Sequence, residues 1–157
     1  MPADRKSITF REATSNDVEK MTELDKICFT VPWSKADFEK EMNNNPLALY
    51  IVAETEGEII GYAGLWCVVD EGHITNVAVH PKHRKKSIGK CLVEILLSEA
   101  RNRGNIKSFT LEVRISNEAG IKLYEGFGFK EVSRRKGYYS DNKEDAAIMW
   151  LNDQNDR

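Results

Sequence analysis

The sequence predicts an α/β protein: a mixed central sheet with helices on both faces. Two patterns carry that reading. Short runs rich in Ile, Val, Leu and Tyr, separated by turn residues, alternate with stretches whose apolar residues recur every three or four positions. One such run, residues 73–79, is followed by a helical stretch and then by a run at 108–113, a crossover that makes its two strands parallel neighbours.

Residues 8–11 read as the first strand. Thr14, Ser15, Asn16 and Asp17 are cap-type residues opening a helix with Val18, Met21, Leu24 and Ile27 on one face. After Pro32 and Trp33, Ser34 caps a second helix whose apolar side holds Ala36, Phe38 and Met42, and Asn43-Asn44-Asn45-Pro46 ends it. Residues 47–54 and 59–69 pair as an antiparallel hairpin across Thr55-Glu56-Gly57-Glu58. Asp70-Glu71-Gly72 turns the chain into the strand at 73–79. A long helix then covers Ile88–Arg103, where Ile88, Cys91, Leu92, Ile95, Leu96 and Ala100 follow a helical period and Gly104 stands at the cap. The strand at 108–113, a short helix at 117–124 and a last strand pair, 130–136 with 145–151, complete the series.

With 157 residues and 41% hydrophobic content, the chain can bury one core, so a single domain over 1–157 is expected, its core about 8–151 and its polar ends frayed. Charge is nearly balanced, 23 Lys+Arg against 25 Asp+Glu, which argues against a broad basic surface and direct nucleic-acid binding. Cys28, Cys67 and Cys91 lie far apart, without a C-x-x-C pair, so no disulfide framework is expected and a reducing compartment follows. No apolar h-region and no run of membrane-spanning length occurs, which predicts a cytoplasmic protein without membrane partners. His80 and His83 lack further ligands nearby, so no metal is expected.

Between the strand ending at Val79 and the helix starting at Ile88 lie Arg84, Lys85, Lys86, Ser87, Ile88, Gly89 and Lys90. A helix N-terminus carries unpartnered N–H groups and about half a positive charge, and therefore attracts phosphate. Ser87 and Gly89 are small enough for close approach, and Lys85, Lys86 and Lys90 add mobile charge. A Walker A loop is excluded, because it requires Gly at position 84 and Ser or Thr after Lys90, where this chain has Arg84 and Cys91.

Asn76-Val77-Ala78-Val79-His80-Pro81, this turn and the helix after it resemble motif A of the GNAT acetyltransferase superfamily, commonly Arg/Gln-x-x-Gly-x-Gly/Ala. The resemblance implies the GNAT fold with a splayed strand pair, 75–79 against 108–113, and acetyl-CoA as cosubstrate. It also implies that the backbone of Val77, Ala78 and Val79 meets the pantetheine arm, and that Lys85, Lys86, Ser87, Ile88, Gly89 and Lys90 hold the pyrophosphate. Ser87 departs from the pattern, standing where the first motif glycine is usual. It tolerates the contact only with a negative φ or at a cost in strain.

Leu111 and Val113 flank Glu112, so strand alternation turns Glu112 alone to the opposite face, where it is either a solvated sheet edge or a group beside the slot. Tyr124, among Leu123 and Phe127, is either core packing or a phenolic proton donor. Leu111-Glu112-Val113-Arg114, Ser116-Asn117, Leu123-Tyr124-Glu125 and Gly126-Phe127 resemble the ribosomal-protein-alanine N-acetyltransferases, the RimI-type family. By that resemblance Glu112 is the general base, Tyr124 the general acid and Asn117 a coenzyme A contact. Similarity extends to Val31-Pro32-Trp33-Ser34 and to Arg135-Lys136-Gly137-Tyr138-Tyr139, which implies that Trp33, Tyr138 and Tyr139 flank a groove for a protein N-terminus. The acceptor so implied is the N-terminal alanine of ribosomal small-subunit protein eighteen.

Physical chemistry favours such an acceptor. An α-amine has a pKa of about 7.7–8.0 against about 10.4 for lysine, a difference worth roughly 3.5 kcal/mol in presenting the free nucleophile near neutral pH. Two alternatives stand beside it: an acetyltransferase for a small-molecule amine, and a non-catalytic acyl-CoA sensor. Glu118, Glu125, Glu131 and Asp141 are further candidates for an acidic approach to the groove.

Overall fold

Local chemistry starts each of the first two helices. Thr14 forms a reciprocal capping box with Asp17 around the short 3-10 turn, residues 15–17, that leads into the first, and Ser34 forms one with Asp37 at the start of the second. The computed structural model describes residues 7–153. In chain order its elements are β1 (Thr9–Glu12), α1 (Val18–Cys28), α2 (Lys35–Asn44), β2 (Ala48–Thr55), β3 (Glu58–Val68), β4 (Glu71–Val79), α3 (Ile88–Arg103), β5 (Ser108–Arg114), α4 (Glu118–Gly126), β6 (Lys130–Arg135) and β7 (Ala146–Asn152).

The strands form a seven-stranded sheet in the order β1-β2-β3-β4-β5-β7-β6. Only the β4–β5 pairing is parallel, as the crossover through α3 requires. Strand alternation divides the core between the two faces. Leu49, Ile51, Ala63, Leu65, Phe109 and Leu111 pack toward Leu92, Leu96 and Ala100 of α3. Tyr50, Val52 and Tyr62 pack on the other face against Val18, Met21 and Leu24 of α1 and Phe38 of α2. The mixed α/β sheet with helices on both faces is therefore as the sequence reads.

Several details differ. Ile27 is 54% exposed, and Asp25, not Ile27, closes the inward side of α1. On α2, Ala36 is exposed, and Phe38 with Glu41 faces inward. The β3–β4 turn falls at Val69 and Asp70, leaving Glu71 and Gly72 inside the strand. Gly72 is glycine because Phe109 crosses it: a Cβ there would lie 2.5 Å from Phe109 Cδ1. Gly104 does cap α3, but at φ −152, an extended conformation open to any residue. Residues 152 and 153, expected to fray, are tied down: Asn152 pairs with Ser108, and Asp153 binds Arg101 with Oδ2 2.7 Å from Nε. The remaining end residues of that expectation, 1–6 and 154–157, lie outside the described residues.

Two irregularities shape the sheet's centre. β4 and β5 pair only at Glu71↔Ser108, Gly72↔Phe109 and His73↔Thr110, and then separate. Against β3, Leu65 pairs with Ile74 and Gly64 with Asn76, which leaves Thr75 as an extra residue. Such a bulge bends its strand and re-aims side chains. It stands just past the last β4–β5 pair.

Candidate active site

The divergence of β4 from β5 opens a cleft of about 640 Å³. Glu112, Asn117, Tyr124, Val77, Trp33, Tyr138 and Tyr139 all line it, so the structure gathers seven of the sequence-predicted residues from five separate segments. β5 sends Leu111 and Val113 into the α3-side core and leaves Glu112 exposed on the opposite face. Among the described residues the Glu112 carboxylate has no ion-pair partner.

Tyr124 is a core residue that also lines the cleft. Its ring is packed in the core, 5.8 Å from the Phe129 ring, and among the described residues its hydroxyl has no hydrogen-bond partner. Burial pushes this phenol above the ordinary tyrosine value, with Tyr139 adding to the effect. The phenol is therefore protonated at neutral pH. Asn117 caps α4, its Oδ1 accepting from the Gly120 N–H at 2.9 Å. The Asn117 amide nitrogen remains available.

Two walls face the slot. Trp33 packs on Phe38, with ring centroids 5.3 Å apart, and its backbone N–H donates to Asp25 Oδ2 at 2.8 Å. Asp25 also accepts from the Tyr62 hydroxyl, and burial raises its pKa against the opposing pull of those two bonds. The other wall is the β6–β7 loop. There the Arg114 guanidinium lies 4.0 Å over the Tyr139 ring and binds Asp141 at 2.9 Å and Glu144 at 3.2 Å. Burial pushes the Tyr139 phenol up to about 12, while Arg114 works against it. Asp141 also accepts from the Thr30 hydroxyl at 2.7 Å, joining the two walls.

Sequence reasoning missed Arg114, Glu144 and Asp25. Arg114 stands within the Leu-Glu-Val-Arg run and its partners lie in an acidic loop, but only the fold pairs them. The expected acidic approach is corrected: of its four residues only Asp141 lines the cleft, and Arg114 already holds its charge.

The other predicted residues lie along β4 and beyond it. Ala78 is buried at 3% exposure on the α1 side, so only its backbone can meet a ligand. The Val79 carbonyl already accepts from Arg84 Nε at 2.9 Å. Ile88 is buried in the core, whereas Lys85, Lys86, Ser87 and Lys90 are exposed. Ser87 has φ 64 and ψ 18, the left-handed region, and Lys85 shares it at φ 65. Ser87 does not have the negative φ that would avoid strain. Its side chain caps nothing, so the first N–H groups of α3 face outward without an intrahelical partner. At Gly89 a Cβ would meet Val79 Cγ2 at 3.7 Å and Leu123 Cδ2 at 3.8 Å, ordinary contacts at a φ outside the left-handed region. Neither strain nor packing demands glycine there. An open helix N-terminus flanked by lysines, leading into a slot between two strands, fits a diphosphate joined to a thioester arm. Among the described residues no three His, Cys, Asp or Glu side chains converge to hold a metal, and no helix is long and apolar enough to cross a membrane.

A forked sheet with a phosphate-type helix end at one side of the fork is the frame of an acyl-transfer enzyme. The chain belongs to the acetyltransferase (GNAT) family, whose profile matches residues 18–129. A Bacillus subtilis (strain 168) protein, provisionally named [ribosomal protein bS18]-alanine N-acetyltransferase, is 38% identical over 141 residues, 90% of this chain and 93% of its own. The crystal structure of the ribosomal-protein-S18-alanine N-acetyltransferase from Escherichia coli superposes with a TM-score of 0.84 at 32% identity, over 93% of this chain and 94% of that one. A chain of the NatC complex bound to Gag peptide and CoA matches with a TM-score of 0.82 at 25% identity, over 93% of this chain and 98% of its own.

Proposed function

We propose that this chain transfers the acetyl group of acetyl-CoA to the α-amine of a protein N-terminus, the N-terminal alanine of ribosomal protein bS18, as a single catalytic domain. The observation that carries the reading is the fork cleft, in which Glu112 and Tyr124 line one slot between two aromatic walls. The acceptor rests on the names of near-full-length relatives. A ribosomal substrate sets the work in the cytoplasm.

In this reading Lys85, Lys86 and Lys90, with the N–H groups at Ser87, Ile88 and Gly89, hold the pyrophosphate. The backbone of Val77, Ala78 and Val79 and the Asn117 amide meet the pantetheine arm. Glu112 takes a proton from the acceptor amine, whose nitrogen attacks the thioester carbonyl carbon. A β4 backbone N–H polarises the carbonyl oxygen as it gains charge. The C–S bond then breaks, and the Tyr124 hydroxyl gives its proton to the departing sulfur. Trp33, Tyr138 and Tyr139 flank the acceptor peptide.

The test is transfer to a peptide copying the bS18 N-terminus, with the acetyl group located by mass spectrometry. Modification of the α-amine, abolished when that amine is blocked although lysines remain, is the expected result. Acetyl found on internal lysines, or on small amines alone, overturns the acceptor assignment.

A further inference from the structure

The fork cleft has a support beneath it that the proposed chemistry does not use. We infer that Glu41, on α2, is a positioning residue that sets the acceptor wall of the cleft through Trp66 and Thr75; the inference rests on the acetyltransferase reading above. The Glu41 residue is 8% exposed, and among the described residues no cation pairs with it. Three neutral donors hold its carboxylate: the Tyr50 hydroxyl at 2.7 Å and the Trp66 indole N–H at 2.7 Å on Oε1, and the Asn45 amide at 2.9 Å on Oε2. A carboxylate buried without a counter-ion is costly, and each donor it holds would be left unpaired in its absence.

Both Oε1 donors lead to the cleft. Trp66 lines it directly from β3. The Tyr50 hydroxyl also meets Thr75 Oγ1 at 3.0 Å, and Thr75 is at once a cleft residue and the bulged residue of β4. The chain reserves room for this reach: a Cβ on Gly64 would lie 2.1 Å from Tyr50 Cε2, inside the ring. One oxygen therefore fixes a wall residue on β3 and the kink of β4. Trp66 pairs with His73, toward the start of β4, whereas the phosphate-type turn follows the strand's other end at Val79. Disturbing Glu41 should accordingly reach the acceptor before it reaches acetyl-CoA.

Steady-state kinetics with an alanine-initiated peptide and calorimetry with acetyl-CoA test this on the full chain. Glu41→Leu should raise the peptide KM by about tenfold, the effect of unpairing one or two buried donors, with acetyl-CoA affinity held within about a factor of two. Glu41→Gln keeps an oxygen for Tyr50 and Trp66 and should restore most of the loss. Tryptophan emission should shift in Glu41→Leu, and the shift should vanish when Trp66→Phe is added. A folded Glu41→Leu enzyme with an unchanged peptide KM overturns the inference, as does an equal loss for both substrates. Should Glu41→Leu fail to fold, Trp66→Phe and Thr75→Val each remove one arm, and unchanged peptide KM values in both overturn it equally. Turnover by the parent enzyme tests the function reading separately: if only small amines are acetylated, that reading falls, and the same ratios measured with the amine decide the role of Glu41.

Discussion

Ser87→Gly should make the protein more stable and its grip on acetyl-CoA equal or tighter. Ser87 sits at φ 64 and ψ 18, and its hydroxyl caps nothing, so the substitution removes strain without removing a bond. Holding an L-residue in the left-handed region costs roughly 1–2 kcal/mol. Glycine gives back about 0.4–1 kcal/mol through its freer unfolded chain. The net gain is about 0.5–1 kcal/mol, which for a chain of this size raises Tm by about 1–4 °C. Scanning calorimetry reads the stability, and titration calorimetry reads acetyl-CoA binding. Ser87→Ala is the control: it keeps the strain, so its Tm should stay with the parent. A Tm below the parent's for Ser87→Gly, or clearly weaker acetyl-CoA binding, would refute the reasoning and assign Ser87 a bond in the complex.

Glu112→Gln keeps the shape of the base and removes its function, so turnover should fall by about 10²–10⁴-fold with acetyl-CoA affinity unchanged; turnover within about a factor of three of the parent excludes the base role. Tyr124→Phe keeps the ring contact with Phe129 and should lower kcat by roughly 10²–10⁴-fold while Tm holds; an unchanged kcat removes the hydroxyl from the reaction. Gly89→Ala should leave Tm equal or higher, since a Cβ there meets only ordinary contacts, yet weaken acetyl-CoA binding; undiminished binding would mean the ligand does not approach this turn. Asp17, 5% exposed, takes two Arg11 bonds of 2.8 Å, so Asp17→Asn should cost about 1.5–3 kcal/mol in urea unfolding at neutral pH, nearer the low end because Arg11 is partly solvated. Arg11 holds the Asp17 carboxyl below its usual 3.8, so this contribution is complete above that value and is lost as pH falls through the lower folded one. A parent and variant whose difference persists unchanged in strong acid would contradict it.

Much of the fold was legible because it is written in local periodicity. The bounds of α3 follow directly from its apolar spacing, the Ser34 cap announces α2, and Thr14 caps the turn that leads into α1. The misplaced details are those where a distant partner outweighs the local pattern. Ile27 has helical spacing but no element above it, whereas Asp25 turns inward because the Tyr62 hydroxyl and the Trp33 N–H wait there. Gly104 has the position of a left-handed cap and not its conformation.

The site divides the same way. Strand alternation around Glu112, the composition of the turn at 84–90 and the motif resemblance belong to the sequence by itself, because each depends on neighbours within a few residues. Only the tertiary structure decided that the expected parting of β4 from β5 falls just after His73 and Thr110, that Tyr124 is at once core and cleft lining, and that Ser87 is strained. It alone brings Arg114 to Asp141, 27 residues away, and Glu41 to Trp66, 25 residues away. Charge and hydrogen-bonding capacity are properties of a residue and can be read in order. Which capacity is spent on which partner depends on the path of the backbone between them, and no spacing rule carries that.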